Sequence, residues 1–78
     1  MVNDLAYTYL FFKRYDESLD LFKLNLLNYP ESYNVYNSMG DYYDAKGDKV
    51  NAIDNYKKAL SIKEVLYTRE KLERLQGK

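Results

Sequence analysis

The chain has 78 residues, which limits it to one domain, and a globule of that size buries too little surface to be comfortably stable without a staple, a neighbour or a partner. It contains no cysteine and no histidine, which removes a disulfide framework, a thiolate nucleophile and the ligands that structural zinc and most catalytic metals prefer, and leaves the redox compartment unreadable. Twelve basic residues balance twelve acidic ones, so no electrostatic pull toward nucleic acid or anionic lipid is expected.

The balance conceals a dipole. Residues 1–45 hold three basic and seven acidic groups, and residues 46–78 hold nine basic and five acidic. Solvated helix faces account for this, as does head-to-tail attraction between copies or with a flanking domain.

The first element expected is a helix beginning at Met1. Its apolar stretch from Leu5 to Phe12 is interrupted by Thr8 and is too short to span a bilayer, so no membrane insertion is expected. Asp4 ahead of it, and Lys13 and Arg14 behind it, do not suit a secretory signal, so an export signal would lie outside this chain. Lys13-Arg14-Tyr15-Asp16 forms the turn into a second helix, without the glycine that such a turn favours. Asn28-Tyr29-Pro30-Glu31-Ser32 then breaks the chain, because proline cannot continue a helix and Ser32 is placed to cap the next. In the third helix Tyr36, Met39, Gly40 and Tyr43 recur at spacings of three and four, and in the fourth so do Ala52, Ile53, Tyr56, Ala59 and Leu60. Lys46-Gly47-Asp48 separates these two, with glycine free to adopt the left-handed conformation and aspartate placed to cap.

The first half of the chain repeats in the second at an offset of thirty-four residues. Leu5 falls on Met39, Ala6 on Gly40, Tyr9 on Tyr43, Ser18 on Ala52, Leu19 on Ile53, Phe22 on Tyr56 and Leu26 on Leu60. A helix-turn-helix of this period and content resembles the tetratricopeptide repeat family over residues 1 to about 64. The resemblance implies an all-α chain of antiparallel helical hairpins winding into a right-handed superhelix. Repeat 1 occupies 1–31 and is N-terminally incomplete, repeat 2 occupies 32–64, and 65–78 forms a capping helix. Gly40 and Ala52 would let the helices of a hairpin approach, while Ile53 and Tyr9, Tyr36, Tyr43 and Tyr56 fill the spaces between hairpins. Three departures stand out: Asn25 where the family usually has alanine, Glu64 where a proline would end the second copy, and Met1 partway into the first helix.

The last segment places Leu72 and Leu75, with Leu66 or Tyr67 behind them, on a narrow apolar stripe, and spaces Arg69 with Glu73 and Glu70 with Arg74 for exposed ion pairs. Such a helix would close the stack with a polar outer side. The opposite end would be open, displaying Leu5, Tyr9, Leu10, Phe11 and Phe12.

In the family the first helix of each hairpin lines a concave face that holds peptides or partner helices. Carried onto this chain, that face comprises Asn3, Tyr7, Leu10 and Phe11 from the first copy and Asn34, Asn37, Asp41 and Asp44 from the second. Asn34 and Asn37 would bond a peptide backbone, Tyr7 would add area and a hydroxyl, and Asp41 and Asp44 would favour a basic or neutral ligand. Plain solvation is the competing reading of the asparagines and aspartates. The face lacks the basic cluster that clamps a C-terminal carboxylate in some family members, so chaperone-tail binding is not expected.

No catalytic constellation is readable, because each hydroxyl would have to be activated without histidine or cysteine. Asp41 and Asp44 sit one turn apart, a weak pair for a hard cation, and neither a metal nor a cofactor is expected.

A second resemblance rests on the runs Phe22–Ser32 (FKLNLLNYPES), Asn34–Asp41 (NVYNSMGD) and Asn55–Leu60 (NYKKAL). These look like the C-terminal tails of bacterial serine hydrolases of the esterase or beta-lactamase-like type, which would make this chain the end of a larger protein in the cytoplasm or periplasm. Two functions follow. One is a module that binds a protein or peptide on the concave face. The other is a self-associating element, in which the open edge at Leu5, Phe11 and Phe12 docks on a second copy or on an upstream hydrolase domain, since two repeats and a cap fall short of the three that usually make a stack stable.

Overall fold

The structure, a computed structural model, describes residues 2–77, so the expected helix start at Met1 lies outside the described residues. Five helices follow in order: α1 (Asn3–Phe11), α2 (Tyr15–Asn28), α3 (Tyr33–Ala45), α4 (Lys49–Ile62) and α5 (Leu66–Leu75). No strand occurs among the described residues. α1 packs on α2 and α3 on α4 as antiparallel hairpins, α2 packs on α3 to join them, and α5 closes on α4. The all-α hairpin architecture with a final capping helix is therefore the observed one.

The turns show how the sequence sets the elements. Gly47 adopts φ +81° between α3 and α4, and Asp48 caps α4 by accepting from the Asn51 backbone N–H at 3.2 Å. One period earlier Lys13 takes Gly47's place and is forced to φ +61°, the left-handed region that a side chain disfavours. Arg14 then stands at the N-cap of α2, paired with Glu17 and with its guanidinium 5.2 Å from the Tyr9 ring centre. Ser32 occupies the N-cap of α3 in an extended conformation, but its side chain makes no capping bond. The break before it is instead tied by Tyr36, whose hydroxyl donates to the Pro30 carbonyl at 2.6 Å. Where Glu64 replaces a terminating proline, Lys63 and Val65 are extended, and the carboxylate of Glu64 accepts from Arg69 at 2.7 Å.

Two clusters make the core. Ala6, Phe22, Met39 and Tyr42 form the first, and Ala52, Tyr56, Leu72 and Leu75 the second, with Tyr43 packed against both. Tyr56 is fully buried, whereas Tyr9 and Tyr36 are half-buried at the margins. The tyrosine at the centre of the first cluster is Tyr42, with Tyr15, Phe22 and Tyr43 ring centres 6.3, 6.2 and 5.1 Å away in edge-on contact. It lies off the stripe read from the spacing because α3 is covered on two sides, by α4 and by the first hairpin.

The close approach expected at Gly40 is present: a Cβ there would meet the Tyr56 ring at 2.5 Å. Its counterpart in the first hairpin, Ala6 with Phe22, lies in the first core cluster, and a polar bond adds to it. Ser18, buried, donates its hydroxyl to the Ala6 carbonyl at 2.8 Å. Asn25, standing for alanine, is buried as well and ties down the start of α1: its Oδ1 accepts from the Val2 backbone N–H at 2.9 Å and its Nδ2 donates to Asn3 at 2.7 Å. The apolar stripe of α5 is Leu72 and Leu75 with Thr68 behind them, all buried, while Leu66 and Tyr67 are exposed. The ion pairs of α5 also differ from the one-turn spacing. Arg69 turns back to Glu64, and Arg74 reaches across to Asp44 on α3.

Replacing Lys13 by glycine relieves the left-handed strain and should raise stability by about 0.5–1 kcal/mol, while Gly47→Ala, with open space around the new methyl, should lower it by about 1 kcal/mol. Gly40→Ala should cost about 1–3 kcal/mol, because the methyl would enter the Tyr56 ring. Urea midpoints of the three variants check the order Lys13→Gly above wild type and both alanine variants below it.

Candidate partner-binding face

A ladder of polar contacts joins α1, α3 and α5, the helices that carry the residues expected on the concave face. Asp41 on α3 is its centre. Oδ2 accepts from the Tyr7 hydroxyl of α1 at 2.6 Å, Oδ1 accepts from the Tyr56 hydroxyl of α4 at 2.5 Å, and Lys71 Nζ of α5 donates to the two oxygens at 3.0 and 3.3 Å. One carboxylate thus joins four helices. The Tyr7 hydroxyl is also within reach of Ser38 Oγ at 3.1 Å, and the Lys71 ammonium lies 4.9 Å from the Tyr67 ring centre and 5.8 Å from that of Tyr56.

Further rungs run parallel between α3 and α5. The Tyr33 and Tyr67 hydroxyls bond to each other, Thr68 Oγ1 donates to Asn37 Oδ1 at 2.9 Å, and Arg74 donates to Asp44 Oδ2 at 2.7 Å. The Asn37–Thr68 bond is buried, and the Arg74 end of the last rung is largely exposed and correspondingly weak.

These contacts set the protonation of the tyrosines. Burial first, and then the neighbouring Asp41 carboxylate, hold the Tyr7 and Tyr56 hydroxyls well above the ordinary phenol range. Tyr33 is pushed up to about 12, by desolvation and then by its bond to Tyr67. Asp48 is held below the usual carboxylate range by the side-chain and backbone N–H groups of Asn51.

The eight residues expected on the concave face divide into three groups. Tyr7, Asn37, Asp41 and Asp44 are brought together in the ladder, and Asn37 is buried in it. Asn3 is half-buried against Asn25, and Leu10 packs on the first core cluster. Phe11, 81% exposed, and Asn34 remain open to a partner. Lys71 and Arg74 meet the charges of Asp41 and Asp44, so this face is less acidic than the aspartates alone imply. Thr68, Lys71 and Arg74 were not among the expected site residues. The signal for them is the period itself, since Tyr33 lies thirty-four residues from Tyr67 and Tyr7 thirty-four from Asp41, so α5 stands to α3 as α3 stands to α1.

A shallow cavity of about 300 Å³ lies between α4 and α5, lined by Lys57, Leu60, Ser61, Arg69, Leu72 and Gln76 and by no member of the ladder. Among the described residues no helix is long and apolar enough to cross a membrane.

Residues 33–65, which comprise α3, α4 and the link to α5, match the family model of the tetratricopeptide repeat. No curated protein and no solved structure matches the chain. The second hairpin is thus similar to a tetratricopeptide repeat, and the first hairpin and α5 pack on it.

Removing the Asp41 carboxylate leaves two hydroxyls and an ammonium without their shared acceptor, so Asp41→Ala should lose about 2–3 kcal/mol in urea unfolding, against less than about 0.5 kcal/mol for Asn34→Ala. The raised tyrosines also fix the sign of an alkaline transition. Below pH 10 the hydroxyls are protonated in folded and unfolded chains alike, whereas above it the unfolded chain loses protons that the folded chain retains, so stability falls as pH rises. Spectrophotometric titration should show a tyrosinate fraction that appears only with loss of helicity, and that fraction should shrink in Tyr7→Phe and Tyr56→Phe.

Proposed function

We propose that this chain is a protein-binding module without catalytic activity, the C-terminal portion of a larger protein, whose partner lies along the inner face and contacts Phe11 and Asn34. Tetratricopeptide repeats typically serve as interaction scaffolds, and residues 33–65 carry one. The observation that supports the reading most is Phe11, 81% exposed at the end of α1 with its ring edge-on to Phe12, one turn beyond the Tyr7 that joins α1 to a floor whose polar groups are already bonded to one another. Such a floor is rigid and nearly neutral, and an exposed ring one helical turn from it offers apolar area to a bound segment at little conformational cost. The preferred ligand on this reading is an extended segment with an apolar anchor for Phe11 and a backbone amide for Asn34, with no demand for basic side chains. A parent hydrolase upstream would supply the catalysis that this chain lacks.

A second reading is self-association through the open edge, and a specific contrast favours it. Met39 is 6% exposed, while its counterpart one period earlier, Leu5, is 49% exposed, and Phe12 beside it is 65% exposed. Exposed apolar residues of this size on a small stack mark an interaction surface.

Peptides selected on the wild-type chain from a random display library separate the readings. On the inner-face reading the selected peptides lose about tenfold or more in affinity for Phe11→Ala, the loss of a buried ring contact, and keep it for Phe12→Ala. Selection that yields no binder, or binders indifferent to Phe11, contradicts it.

A further inference from the structure

The junction between α4 and α5 repeats the junction between α2 and α3 one period later, and the two are filled differently. At the first, Val35 and Tyr42 of α3 are buried, and Tyr42 sets its ring against Tyr15 and Phe22 of α2. Thirty-four residues on, their places are taken by Arg69 and Gln76. Gln76 is exposed, and Arg69 turns to Glu64, to which its Nε and Nη2 donate at 3.2 and 2.7 Å. Where the first junction holds a branched chain and a ring, the second keeps a cavity of about 300 Å³.

The lining of this cavity selects a chemistry. Its apolar part is Leu72 of α5, buried, and Leu60 of α4, half-buried. Beside them stand three donors: the Lys57 ammonium, the Gln76 amide and Arg69 Nη1, the guanidinium nitrogen that Glu64 leaves over. Among the described residues no acidic side chain belongs to the lining. The Arg69 charge is answered by Glu64, and Glu73 acts on it from beyond ion-pair distance. Lys57 takes part in no ion pair among the described residues, which leaves its charge uncompensated.

We propose that this cavity binds a small organic monoanion, a carboxylate on an aromatic or branched apolar body, with the body against Leu60 and Leu72 and the carboxylate toward Lys57 and Gln76. The single uncompensated ammonium sets the single negative charge, since a second would face Glu64. The volume, at the lower end of the range for small-molecule sites, sets a body of about one ring. A shallow site of this kind holds its ligand weakly, with a Kd of about 1 mM. It includes neither Phe11 nor Asn34, so the inference goes beyond the protein-binding reading and does not depend on it.

Three probes test the proposal on the isotope-labelled chain: phenylacetate carries both features, phenylacetamide lacks the charge, and acetate lacks the body. Phenylacetate should shift the amide resonances of Leu60, Ser61, Leu72 and Gln76, saturating with a Kd of about 1 mM, and leave those of Phe11 and Asn34 in place. Phenylacetamide should bind about threefold more weakly, the share of one exposed charge contact, and acetate should give no saturating shift. Lys57→Gln, at an exposed side chain outside every ion pair, should keep the fold and weaken phenylacetate about threefold. Gln76→Tyr, which restores the ring found one period earlier, should remove the shifts while circular dichroism remains that of the wild type. Shifts that do not saturate by about 10 mM, or that fall outside the cavity, overturn the proposal. So does binding of phenylacetamide or acetate as tight as that of phenylacetate, or binding unchanged in either variant.

Discussion

The Tyr56 ring lies in the space that Gly40 leaves by having no side chain, and most of the structure depends on that contact. It brings α4 against α3 at close range and carries a hydroxyl through to Asp41 at 2.5 Å. From there the carboxylate reaches Tyr7 of α1 and Lys71 of α5. One aromatic side chain thus serves apolar packing between two helices and polar connection among four. A phenylalanine would provide only the first function, and an alanine at position 40 would push the ring away from its place in both.

This arrangement changes the role of the inner face. The side chains that would most simply be assigned to a ligand, Asn37, Asp41 and Asp44, are engaged by Thr68, Lys71 and Arg74 of α5. α5 is consequently more than a polar lid. It supplies two leucines to the second core cluster and a row of polar side chains to α3, one period after the contacts that α3 makes with α1. Of the groups the functional readings use, Phe11, Phe12 and Leu5 are exposed on the first hairpin and Asn34 on α3.

The fold was legible in the sequence because packing imposes a period. Large residues recur opposite small ones every thirty-four positions, and that recurrence pointed to Gly40, Ala52 and Tyr56 and to the turn at Gly47-Asp48. Tyr42 escaped because a helix covered on two sides buries more than one stripe. Asn25 and Thr68 escaped for a different reason: a polar residue in an amphipathic helix reads as solvated, and its burial is revealed only by the partner. For Thr68 that partner is thirty-one residues away, and for Asn25 the Val2 amide is twenty-three away. The candidate site was less legible than the fold on the same grounds, since whether Asp41 faces a ligand or a lysine depends on where α5 docks, and charge spacing within α5 suggested pairs along the helix in place of pairs across it.

Native-state amide hydrogen exchange tests most directly the claim that α5 is part of one cooperative unit with the repeat. Amides in the middle of α5, around Lys71 and Leu72, should open with the same free energy as those of α3 and α4, because they share Asp41 and the second core cluster. Exchange of α5 at the rate of a fraying terminus, with α3 and α4 still protected, would contradict the account and return Asn37, Asp41 and Asp44 to the surface available to a partner.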